Sequence, residues 1–109
     1  MFMTSFTLLL AAASLQASDQ TRPAREAFTT CMRTFLNQRV EARASIEEFR
    51  TALPQQCTQQ EAAYRAAIVR RETGLRATRA NADQQANMEI EEMRAMYVER
   101  FQDYTTPGT

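Results

Sequence analysis

Two cysteines, Cys31 and Cys57, constrain this chain more than any other feature. Around them the sequence favours helix: 109 residues hold only 2 Gly and 3 Pro, and Ala and Arg are abundant. If one straight helix ran through residues 24–53, Cys31 would lie about 33 Å from Leu53 at a rise of 1.5 Å per residue. Cys57 could not then return to it, because a disulfide needs Cα atoms within about 7 Å. An intrachain bond therefore demands a chain reversal near residue 44, midway between the two cysteines. The spacing leaves one alternative open, a straight helix whose cysteines pair between molecules.

The residues at the required reversal read Glu41-Ala-Arg-Ala-Ser-Ile-Glu-Glu48. Ser45 followed by Glu48 has the form of a capping box, a helix-start signature. One helix is expected over 23–43 and a second over 46–53. Antiparallel arms about this apex set Phe35 opposite Leu53, Arg39 opposite Phe49 and Ala42 opposite Ile46. Phe28, Cys31, Met32, Phe35 and Leu36 recur at three- and four-residue spacing, as one helix face should, and Ile46, Phe49 and Leu53 do the same on the return arm. The same periodicity suits one long helix, so the cysteine pair and not the apolar pattern argues for the hairpin. An intrachain bond would close a loop of about 26 residues, which loop entropy puts at about 3 kcal/mol.

The chain opens MFMTSFTLLLAAASLQA. An apolar run over 6–13 leads to Leu15-Gln16-Ala17, the form of a signal peptide over 1–17, cleaved before Ser18. The run is too short to span a bilayer, which takes about 20 apolar residues. A buried N-terminal helix of a cytosolic protein is the competing reading. Export places the mature domain, 18–109, in the periplasm or outside the cell, where a disulfide persists. No second apolar stretch is present, so no stable membrane insertion is expected after cleavage.

Pro54 ends the return arm, since it has no N–H to donate and disfavours helix at Leu53. Thr58-Gln-Gln-Glu61 has the form of a second capping box. A long amphipathic helix is expected over 59–102, with Gly74 and Asn81-Ala-Asp83 as points where it can bend, and a frayed tail over 105–109. Its apolar stripe runs Tyr64, Ile68, Leu75, Ala82, Ala86, Ile90, Met93, Tyr97, Phe101 and Tyr104. Residues 62–80 carry five arginines against Glu72, net +4; residues 81–103 carry six acids against Arg94 and Arg100, net −4. Either local pairs on a solvated surface account for this split, or two copies lie antiparallel with positive halves over negative ones.

Much chemistry is excluded. The chain has no His, so neither a Ser-His-Asp nor a Cys-His arrangement can be built. The neighbouring carboxylates of Glu47-Glu48 and Glu91-Glu92 face different directions on a helix. The sulfurs of Met88, Met93 and Met96 suit Cu(I) in principle, but Met at helical spacing is more often core or adaptable interface. No metal or cofactor is expected. The basic stretch 65–79 sits in a chain with 13 basic and 13 acidic residues, which argues against nucleic acid. The chain is not expected to be an enzyme.

Two resemblances add to this reading. Cys57-Thr-Gln-Gln-Glu61 resembles the Leu-Thr-x-x-Gln motif of the Spy and CpxP periplasmic chaperones over five residues, with Cys in place of Leu and Gln60 one position early. The wider layout has a signal peptide and a cysteine in the first helix. A second cysteine precedes Glu61-Ala-Ala-Tyr-Arg-Ala-Ala-Ile68, and the closing helix ends on Glu99-Arg100-Phe101. That layout resembles uncharacterised small exported helical proteins of bacteria with one Cys pair, and it implies fold and place but no activity. The expectation is an all-α chain: a disulfide-linked helical hairpin followed by a long amphipathic helix. It would serve as a non-catalytic interaction or structural module, with a chaperone-like or stress-adaptor role as the alternative. Leu75, Ile90, Met93, Tyr97 and Phe101 form the stripe expected to meet a protein partner or a second copy.

Overall fold

A computed structural model describes residues 20–106. The expected signal peptide and the end of the tail lie outside these residues. The described chain folds into helices α1 (Thr21–Glu41), α2 (Ile46–Ala52), α3 (Thr58–Gly74) and α4 (Arg79–Thr105), with a 3₁₀ turn at Leu53–Gln55. No described helix is long and apolar enough to cross a membrane.

The first reversal falls where the cysteines require it. Helix α1 ends when Arg43 enters the left-handed region at φ 56°. The Arg43 N–H then donates to the Val40 carbonyl and the Ala44 N–H to the Arg39 carbonyl, both at 3.1 Å, the paired bonds of a Schellman ending. Ser45 then starts α2. Its Oγ accepts from the Glu48 N–H at 3.1 Å, and the Glu48 carboxylate accepts from the Ser45 N–H at 3.4 Å, so the capping box is formed. Phe35 stacks on Phe49 at 5.6 Å, one helical turn from the expected pairing with Leu53. Pro54 sits inside the 3₁₀ turn, which tightens the chain and directs Gln56 into extended backbone. The expected capping box at Thr58 is not formed. Cys57 occupies the N-cap position with no side-chain hydrogen bond, at φ 60°, and Thr58 is already helical. The Cys57 sulfur is bonded to Cys31 instead, across a Cα–Cα distance of 5.9 Å.

The expected single helix over 59–102 is two helices. The chain turns back over residues 75–78, between the two bend points read from the sequence. Arg76 takes φ 70°. The Arg76 N–H donates to the Thr73 carbonyl and the Ala77 N–H to the Glu72 carbonyl, both at 3.0 Å. Thr78 then caps α4, its Oγ1 accepting from the Asn81 N–H at 3.1 Å. This repeats the first reversal residue for residue: Arg43-Ala44-Ser45 and Arg76-Ala77-Thr78 each place Arg in the left-handed position and a hydroxyl at the following N-cap.

The resulting bundle is antiparallel. Helix α1 runs against α3, tied by Arg70 to Gln20 at 2.5 Å near one end and by the disulfide near the other. Phe28 meets Tyr64 edge-on at 5.9 Å between them. Helix α4 returns along α3 and then beside α1, and α2 closes over the end of α4, where Phe49 stacks on Phe101 at 4.4 Å. Buried side chains of all four helices form one core. Each buried phenylalanine contributes about 2–3 kcal/mol by removal from water.

Candidate functional site

The residues expected to form an interaction stripe divide sharply. Ile90, Met93, Tyr97 and Phe101 are buried in the chain's own core, and Leu75 is 73% exposed. This corrects the expectation of an open stripe. Because the chain doubles back at residues 75–78, α3 and α1 cover the face of α4 that a single long helix would have left bare. Tyr97 also donates its hydroxyl to the Thr29 carbonyl at 3.1 Å, so α4 is fixed to α1 by a polar contact as well. The remaining exposed large apolar side chains, Met88, Met96 and Tyr104, are scattered along α4.

Several of the charged side chains on α3 and α4 also pair within the chain. Arg71 on α3 lies between Glu72 at 2.9 Å and Glu89 of α4 at 2.5 Å, and Gln85 donates to the same Glu89 carboxylate at 3.2 Å. Arg94 of α4 bridges Glu61 of α3 and its own helix's Glu91, and Arg65 donates to Asn87. Burial works against the Arg71 charge, but the hydrogen bonds and charges of Glu89 and Glu72 outweigh it and hold its pKa above the ordinary arginine value. Tyr64 is raised above its ordinary value as well, first by burial and then by the negative charge of Glu89. Of the two interhelix ion pairs, Arg71 with Glu89 sets an α3 cation on an α4 acid and Arg94 with Glu61 does the reverse, so the charge division is met only in part within the chain.

The surface around the disulfide has a different character. The bond lies at the edge of a groove of about 720 Å³ between α1 and residues 56–60. Phe35, Ala27 and the disulfide give it an apolar floor, and Thr30, Thr34 and Gln38 line it with neutral polar groups. Its one ionisable side chain among the described residues is Glu26. Such a lining can hold an extended or amphipathic segment by apolar contact and neutral hydrogen bonds, and it offers no general acid and base pair. Both cysteines are bonded to each other, so neither sulfur is a thiolate ligand. Among the described residues no group of three or more His, Cys, Asp or Glu could hold a metal ion.

No protein-family model matches the chain, and no curated protein or solved structure shows significant similarity to it. The reading of its function therefore rests on its own residues.

The sequence reading located the cysteines but missed the groove and the second reversal. The groove is assembled from α1 and a segment about 25 residues further along the chain, which no local pattern reveals. The reversal did have a signal. Arg-Ala-Thr at 76–78 repeats the Arg-Ala-Ser of 43–45, but Thr78 is followed three residues later by Asn81 and not by the Glu or Gln that completes a capping box.

Proposed function

We propose that this chain is an exported, non-catalytic helical module that binds or scaffolds in an oxidising compartment, the periplasm or the cell exterior. The observation that carries the reading is the Cys31–Cys57 bond. It ties α1 to the stretch between α2 and α3, where a 3₁₀ turn at Pro54 and the left-handed Cys57 interrupt the α-helix. A protein that relies on such a bond belongs where thiols stay oxidised, and the apolar run over 6–13 supplies a route there. The non-catalytic part is supported by the use made of the ionisable groups. Glu61, Glu89, Arg71 and Arg94 hold α3 to α4 by ion pairs, and the groove beside the disulfide is lined almost wholly by neutral side chains.

The test is intact mass and nonreducing gel mobility of the protein recovered from an envelope fraction. The expected species begins at Ser18, is two hydrogens light and migrates as a monomer. A full-length mass with two free thiols overturns the reading. The groove's apolar floor favours a second reading, a client-binding chaperone or stress adaptor. That role requires suppression of the aggregation of an unfolded model protein at near-stoichiometric ratio, and no effect at about tenfold excess of this chain removes it.

A further inference from the structure

The turn between α3 and α4 is built from residues that prefer helix. Leu75, Arg76 and Ala77 are all strong helix formers, and neither Gly nor Pro stands among residues 75–78. Arg76 is held at φ 70°, where a side chain is disfavoured. The apolar register also ignores the turn. Ile68 and Ala82 are both fully buried, and Leu75 lies seven residues from each, two helical turns away. On a continuous helix all three share one face, with Leu75 the one large apolar residue of that face between Ile68 and Ala82. In the folded chain Leu75 alone is 73% exposed. A sequence that had only to form this hairpin has no need of that phase across its turn.

We propose that two copies of this chain exchange α4, with residues 75–78 straightening so that α3 and α4 become one helix. The partner is a second copy of the chain. Each α4 then lies antiparallel to the other copy's α3, and every contact seen here is remade between copies: Arg71 with Glu89, Arg94 with Glu61, Phe49 with Phe101, and Tyr97 with the Thr29 carbonyl. Only the turn differs. Straightening releases Arg76 from the left-handed region and satisfies the backbone groups left open where α3 ends and α4 begins. The two Leu75 side chains meet where the helices cross. Gly74 beside Leu75 has no side chain, and in the folded chain a Cβ there would meet no atom within 4 Å. Domain exchange of this kind remakes existing contacts between protomers and so needs no new surface.

This inference deepens the reading of the chain as an interaction module by naming its partner. The two fail separately: an exported, oxidised chain that never dimerises sinks the exchange alone. A reduced cytosolic chain sinks the export reading, while exchange is still measured on the purified oxidised protein. The experiment is light-scattering mass after refolding the oxidised chain from denaturant at low and high concentration. A dimer fraction that grows with refolding concentration and persists on dilution is expected. Thr78→Ala removes a cap that only the hairpin uses, once per chain, and should tighten the dimer about 30-fold. Arg76→Gly favours the turn and disfavours the helix, and should weaken the dimer by about 100-fold or more. Leu75→Glu, exposed in the monomer, should leave monomer stability unchanged and abolish the dimer. A chain monomeric under all conditions, or a dimer indifferent to Thr78 and Arg76, overturns the proposal.

Discussion

Arg43, Cys57 and Arg76 all hold positive φ without being glycine. Each costs about 1–2 kcal/mol relative to an unstrained backbone. Cys57 is held there by its bond to Cys31, but Arg43 has no such tether, and its cost is met by the two Schellman hydrogen bonds around it. Arg43→Gly should therefore raise stability by about 1 kcal/mol, read as a shift of the urea midpoint at unchanged slope. No shift would mean that the arginine side chain contributes as much as its backbone costs. Tyr64 makes a second prediction. Its hydroxyl titrates above the ordinary value of 10.0 in the fold, because burial and the Glu89 charge disfavour the phenolate. The folded state therefore holds the proton more tightly than the unfolded one. The stability linked to it is complete below pH 10 and is lost as pH rises through the raised folded value. Alkaline melts should show this loss in the native chain and a shallower one in Tyr64→Phe.

Helix ends, more than helix interiors, set the layout. The reversal between α3 and α4 is closed by the Schellman bonds at Arg76 and Ala77 and by the cap at Thr78. Gly74 ends α3 at a helical position, with open space beside it. Gly74→Ala should gain about 0.5 kcal/mol by restricting the unfolded chain and extending good helix propensity to the terminus. A small rise in melting temperature checks it, and a fall would show that this helix end needs the backbone freedom of glycine.

The assembled bundle combines a small core with one covalent tie. Helix α2 is 7 residues long, too short to persist alone. Phe49 holds it by packing between Phe35 and Phe101, and the disulfide anchors the chain that follows it. Cys31→Ser should cost about 3 kcal/mol through the freed loop, seen as a lower melting temperature in oxidising buffer. An unchanged melt would mean that the helices close the 26-residue loop without the bond. The interhelix ion pairs add less. Arg22 with Glu26 is largely exposed and worth little, whereas Arg94 with Glu61 is mostly covered and helps fix the facing of α4 on α3.

Local chemistry by itself determined the helical class and the capping box at Ser45, and it pointed to a reversal near residue 44 if the cysteines pair within the chain. These follow from residue types and short spacings, which act within one or two helical turns. The positions of the apolar stripe on α4 were also legible, because periodicity is a property of one helix. What covers that stripe was not. The apolar phase of residues 59–102 is satisfied equally by a long helix meeting a second copy and by a hairpin meeting itself. Only the tertiary structure decided between them, placing Ile90, Met93, Tyr97 and Phe101 inside the chain and the groove of α1 beside the disulfide. The reason is physical: what covers a helix face is a contact between residues far apart in the chain, and periodicity within one helix carries no information on it.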